Sequence, residues 1–357
     1  MKIAILGSGN GGCAAAADWA LAGHQVRLFD FEQFDQNIAK INAQQGIHAD
    51  GDVCGFAKLD YAGHSIQYAM EGADMILAVG PSYSSKSFAE AAAPYVKADQ
   101  IYITCPGSFG GALITKKVFS AYPEASQVCV GETSTLPYAV RVTEPGAVKV
   151  FLKLTGGLFL STIPSKKVHE VLEKFKMVYP ATSAAENVFQ TMLQNSNPVI
   201  HPAVTLLNAG LIERTHGDFL FYEEGVTPSV GHLIEAVDIE RLALAEKLGV
   251  KVLSDVKLGV LQGYMTEDSY EYGYASAPGF KGIKAQSQLD YRYLNEDVGY
   301  GMVFMAELAK ELGMATPMMD SVIHIASAVM KRDYRKEAVR TLSKIGYTVD
   351  DVVNERY

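Results

Sequence analysis

His201 stands in Asn195-Ser196-Asn197-Pro198-Val199-Ile200-His201-Pro202, an apolar helical stretch interrupted by two prolines. Imidazole titrates near neutral pH, which makes histidine the side chain best suited to give and take a proton there. Pro202 removes the helical hydrogen bond to the carbonyl of Pro198, and the kink this predicts should turn His201 away from regular packing. Farther on, Leu289-Asp290-Tyr291-Arg292-Tyr293-Leu294-Asn295-Glu296-Asp297 carries a guanidinium and a carboxylate. Arg292 has the geometry to grip a substrate carboxylate through two parallel hydrogen bonds. Asp297 is suited to hold a histidine in one tautomer and to stabilise its protonated form. Each residue also has an ordinary reading, as a packed histidine beside a kink, a surface ion pair and an N-cap aspartate, and residue type alone leaves both open. The eight histidines form no H-E-x-x-H or repeated His/Cys spacing, so no metal site is expected.

A proton donor serves reduction only beside a source of hydride, and the N-terminus suggests one. Gly7-Ser8-Gly9-Asn10-Gly11-Gly12 follows a predicted strand over residues 2–6 and opens an Ala-rich predicted helix. Gly7, Gly9 and Gly12 supply G-x-G-x-x-G in the context that gives the pattern its meaning. Gly7 permits the tight turn, Gly9 lets backbone approach a pyrophosphate, and Gly12 lets helix and strand pack closely. Asn10 and Gly11 then offer N–H groups at the positive end of the helix dipole. Asp30 ends the second predicted strand, where a carboxylate accepts from an adenosine ribose and repels a 2′-phosphate. The expected cofactor is NAD(H), with NADP(H) as the second choice. Arg27 lies three residues earlier, on the alternate face of that strand. The loops Gly80-Pro81-Ser82 and Pro106 to Gly111 follow further strand ends and are expected to wall the nicotinamide pocket.

The elements that must hold these residues alternate. Apolar runs at 75–79, 101–104 and 127–130 are separated by helical patterns at 84–96 and 111–121. This pattern predicts an α/β fold with a Rossmann-type doubly wound parallel sheet over residues 1–185. From Glu186 the pattern is almost continuously helical, which predicts a mainly α-helical domain over 186–357 and a substrate cleft between the two. A chain of 357 residues with 48% hydrophobic content is long enough for two cores. The net charge of −9 leaves no excess of Lys or Arg for a nucleic acid or an anionic membrane. Cys13, Cys54, Cys105 and Cys129 make no C-x-x-C pair; they read as buried thiols of a reducing compartment. Neither a signal peptide nor an apolar run of membrane length is visible, so a cytoplasmic location is expected.

Taken together, these residues resemble the opine dehydrogenases, the octopine, nopaline and N-(1-carboxyethyl) amino acid dehydrogenase family. The resemblance spans nearly the whole chain. It is specific at Gly7 to Gly12, at Gly131-Glu132-Thr133-Ser134-Thr135-Leu136-Pro137-Tyr138, at Asn197 to Asn208, at Phe221 to Ser229 and at Arg292 to Asp297. It implies reductive condensation of an α-keto acid, often pyruvate, with the amino group of an amino acid, and the reverse oxidation. It also implies His201 and Asp297 as the proton-handling dyad and Arg292 as the keto-acid anchor, with Asn208 and Thr133 lining the substrate site. The implied partners are small molecules, with a homodimer as the candidate assembly. The alternatives are a ketopantoate-reductase-like enzyme without an amine substrate, which would look for a lysine base, and a nucleotide sensor without chemistry.

Overall fold

A computed structural model describes residues 1–357. Two compact units emerge from the packing. The first comprises residues 1–154, 158–191 and 350–357; the second comprises 155–157 and 192–349.

In the first unit twelve strands form two sheets. They are β1 (Lys2–Leu6), β2 (Gln25–Phe29), β3 (Gly46–Gly51), β4 (Gly55–Lys58), β5 (Tyr61–Gly63), β6 (Met75–Ala78), β7 (Ile101–Thr104), β8 (Cys129–Thr133), β9 (Tyr138–Glu144), β10 (Ala147–Lys153), β11 (Leu158–Ile163) and β12 (Thr182–Ala184). The large sheet runs β12-β11-β8-β7-β6-β1-β2-β5. All its neighbours are parallel except β11 against β8. β1 sits centrally with β2 on one side and β6 on the other, so the order reverses at its carboxyl end, where open α/β sheets bind ligands. The small sheet, β4-β3-β10-β9, was not foreseen as a separate layer. The helix Asn10–Leu21 packs against strands of both sheets, and residues Gly12 to Trp19 are buried. A helix covered on two sides must be apolar nearly all round, and small side chains let both sheets approach, which accounts for its alanine run.

The boundary lies at 191/192 instead of 185/186. Thr191 Oγ1 donates to Glu132 Oε1 on β8 at 2.7 Å and lies 2.9 Å from Ser161 Oγ on β11, which keeps 186–191 with the sheet. The C-terminal residues return to the same unit, where Ser165 N donates to Glu355 at 2.5 Å.

The second unit is built around helix Asn197–Leu207, which packs on Pro228–Lys247, Pro317–Met330 and the segment after Arg292. Pro228 and Pro317 occupy first helical positions, and Gly249 and Gly313 adopt positive φ beyond helix ends, as the punctuation predicts. The expected continuous helicity breaks over 263–291, which has one short 3₁₀ turn, Pro278–Phe280. Tyr264, Tyr270 and Tyr274 pack there against Phe280, Asp238 and Asp255. One further expectation fails: Cys54, in the turn between β3 and β4, is exposed, because a tight turn offers no core to enter.

Candidate active site

The glycine loop follows β1. Gly7 has φ +112°, and a Cβ there would lie 2.2 Å from Val79 O. At Gly12 a Cβ would lie 1.9 Å from Gly7 O, so only glycine permits this approach of helix to turn. Gly9 is different. A Cβ on it would meet nothing within 4 Å, so space is open on that side of the loop. Gly9 is also the N-cap of Asn10–Leu21, a helix with no side-chain cap and no acid in its first turn. Its leading N–H groups therefore face that space without an intramolecular acceptor from a cap, a fit for a pyrophosphate.

Asp30 is buried and holds the loop. Its Oδ2 accepts from Ser8 N at 2.6 Å and Ser8 Oγ at 2.8 Å, and its Oδ1 accepts from Phe31 N at 2.8 Å. Three bonds leave about one of a carboxylate's four acceptor sites for a ribose hydroxyl. Arg27 turns elsewhere and donates to Tyr68 O and Glu71 O. Thr133, at the end of β8, is buried and spends its hydroxyl on Thr135 O at 2.9 Å. Its neighbour Glu132, fully buried, accepts from Ala112 N at 2.9 Å and fixes the start of helix Gly111–Phe119. Gly107 is glycine for this reason, since a Cβ would lie 2.3 Å from Glu132 Oε2.

In the second unit the structure brings His201 and Asp297 together, with Nδ1 2.7 Å from Asp297 Oδ2. Pro202 lies inside the helix that carries His201, and Asp297 opens a π-helical turn, Asp297–Met302, a widened geometry often found at functional sites. Both side chains are more than nine-tenths buried. Burial pushes the Asp297 carboxyl above the usual carboxylate range, while His201 and Arg292 pull it back. Arg292 starts the short helix Arg292–Asn295. Its side chain is half exposed, with Nε 3.1 Å from Glu296 Oε2. Asn208 ties the helix Asn197–Leu207 to the turn ahead of Pro228–Lys247 by donating to Val204 O and Gly225 O, both at 2.9 Å, so its amide N–H groups are engaged with backbone.

Two aromatic partners of His201 were not singled out from sequence. Tyr293 stacks on the imidazole with centroids 4.0 Å apart and planes at 22°. Tyr222 places its hydroxyl 3.1 Å from His201 Nε2. Both fall inside segments that carry the family resemblance; neither has a local spacing that would assign it a partner. If Asp297 is ionised, Nδ1–H donates to it and Nε2 accepts the Tyr222 proton.

A comparison with known families matches residues 184–330 to the helical domain of NAD/NADP octopine/nopaline dehydrogenases. Residues 2–119 match the N-terminus of NAD-dependent glycerol-3-phosphate dehydrogenase. An opine dehydrogenase of Arthrobacter sp. (strain 1C) is 37% identical over 96% of this chain and 94% of its own. Protein ocs of Agrobacterium tumefaciens (strain Ach5) is 26% identical over 93% and 92%. A solved octopine dehydrogenase with NADH and L-arginine superposes with a TM-score of 0.81 over 99% of this chain and 97% of that one, at 20% identity. With a helical-domain match and a relative 37% identical across nearly its full length, the chain belongs to the opine dehydrogenases, NAD(P)-dependent oxidoreductases.

Proposed function

We propose that this enzyme condenses an α-keto acid, pyruvate first among them, with the amino group of an amino acid and reduces the resulting imine, and that it runs the reverse oxidation. The observation that carries the reading is the buried His201–Asp297 pair at 2.7 Å, whose carboxylate lies on the segment that begins with Arg292. Arg292 anchors the keto-acid carboxylate, exchanging part of its contact with Glu296 for a bidentate pair. His201 takes a proton from the ammonium so that neutral amine can attack the carbonyl, and it returns a proton to the hydroxyl that leaves as water. Asp297 stabilises the imidazolium in between. Bound NADH supplies the hydride. Gly7, Ser8, Gly9, Asn10, Gly11 and Gly12 with Asp30 hold that cofactor, and the acid at position 30 supports NADH over NADPH. Asn208, through its carbonyl oxygen, and Thr133 are the remaining candidates for substrate contact.

No helix is long and apolar enough to cross a membrane. The four free cysteines support a reducing cytoplasm. The proposed assembly is a homodimer, which light scattering checks by mass. NADH consumption with pyruvate and other keto acids, each alone and then with amino acids, tests the activity. Consumption only when both substrates are present is expected; consumption with keto acid alone would replace this reading with a simple keto-acid reductase.

A further inference from the structure

With Nδ1 against Asp297, the nitrogen left to His201 for chemistry is Nε2, and that nitrogen is covered. The Tyr222 hydroxyl lies 3.1 Å from it, and His201 and Tyr222 are only 7% and 5% exposed. The tyrosine is held in place. Its ring stacks on Phe280 at 4.1 Å and 13°, Phe280 stacks in turn on Tyr264 at 5.1 Å and 16°, and Phe221 meets Tyr222 edge-on at 5.0 Å. Swinging Tyr222 aside would break two of these ring contacts, each worth about 0.5–1.5 kcal/mol beyond burial. A substrate proton travelling to or from Nε2 therefore meets the phenol first.

We propose that Tyr222 is a further catalytic residue, relaying protons between His201 Nε2 and the reacting oxygen and nitrogen of the substrate. A phenol is suited to this because it donates one proton and accepts through two lone pairs. Facing neutral His201 it donates to Nε2; facing imidazolium it accepts Nε2–H and its own proton is free to go outward. Burial foremost, and nearby tyrosines and carboxylates after it, push the Tyr222 hydroxyl well above its ordinary range. A phenolate is thus too costly to persist, and the two transfers must be concerted.

In the dehydration step the Tyr222 proton passes to the hydroxyl of the carbinolamine, whose C–O bond breaks. Water leaves, the nitrogen lone pair forms the C=N bond of the iminium, and the Nε2 proton of imidazolium restores the phenol. One positive charge moves from ring to substrate, and no other reactant is needed.

The inference rests on the reductive-condensation reading, and Tyr222→Phe tests it, since the phenylalanine ring keeps both stacking faces. Single-turnover NADH oxidation should slow about 100-fold, with keto-acid KM and NADH Kd held within about twofold. Rates in mixtures of H₂O and D₂O should give a bowed proton inventory for the wild type, from two protons in flight, and a straight line for the variant. A variant within about threefold of wild type, or a straight wild-type inventory, overturns the relay. Should Tyr222→Phe fold poorly, the wild-type proton inventory decides by itself, and a straight line there overturns the relay. If the wild type consumes NADH with keto acid alone, the condensation reading falls separately. The same variant is then compared on ketone reduction, where the relayed proton ends on the alkoxide.

Discussion

Losing the imidazole and losing the guanidinium should leave different kinetic signatures. On the proposed roles, His201→Ala removes the proton carrier, so kcat should fall by about 10²–10⁴ while the NADH Kd stays put. Arg292→Ala removes an anchor on a half-exposed side chain, so the keto-acid KM should rise at least about tenfold with a smaller change in kcat. Lysine should not restore it, because an ammonium lacks the planar fork. Steady-state kinetics with keto acid varied separates the two, and an unchanged KM would remove Arg292 from its role. Asp255 makes a pH prediction. It is buried beside Asp238, and burial first, then the Asp238 charge, pushes its carboxyl up to about 6. The folded chain therefore holds a proton on Asp255 that the unfolded chain gives up near pH ~4. Stability from the neutral form is complete below that value and lost as pH rises through about 6. Relative to Asp255→Asn, the wild type should lose on the order of 3 kcal/mol between pH ~4 and ~7. Urea denaturation at both pH values measures it, and a difference independent of pH would contradict the assignment.

At the level of elements, the β1–glycine–helix unit depends on Gly7 and Gly12, where the backbone tolerates no Cβ. Gly12→Ala places a methyl 1.9 Å from Gly7 O, so the helix must move and NADH affinity should drop at least about tenfold in a fluorescence titration. Asp30→Asn should weaken NADH binding and narrow its margin over NADPH, since the replacement loses the charge that Ser8 meets and that the proposed ribose contact would use. This unit was legible in sequence because its information is local: three glycines, a short apolar run and an acid at a strand end. Sequence placed Pro202 inside the helix that carries His201, where it stands in an unbroken helix Asn197–Leu207, and the pairing of His201 with Asp297 came from family resemblance. What sequence did not convey depends on partners far apart in the chain. Glu132 with Ala112, Tyr222 with His201 and Asp238 with Asp255 are each ordinary residues until the fold joins them. The small sheet was missed because β3 and β4 are short, with glycine and polar residues where an apolar alternation would announce a strand.

On the scale of the whole molecule, the first unit is discontinuous in sequence. The last eight residues return to it, burying Val352 and bonding Glu355 to Ser165, so the unit is not residues 1–191 alone. Deleting 350–357 should lower its melting temperature by several degrees, at about 2–4 °C per kcal/mol for a unit of this size, and an unchanged melt would show the tail to be dispensable. The cysteines divide just as unevenly. Burial pushes Cys13 and Cys105 up to about 12 and Cys129 up to about 11, so these three remain thiols, while Cys54 sits exposed in its turn. A colourimetric thiol reagent should count one reactive group per native chain and four after denaturation. The hairpin tip is thereby a natural point of covalent attachment: without mutagenesis, a maleimide dye or an electrode linker would join every molecule by the same atom and hold the whole population in one orientation.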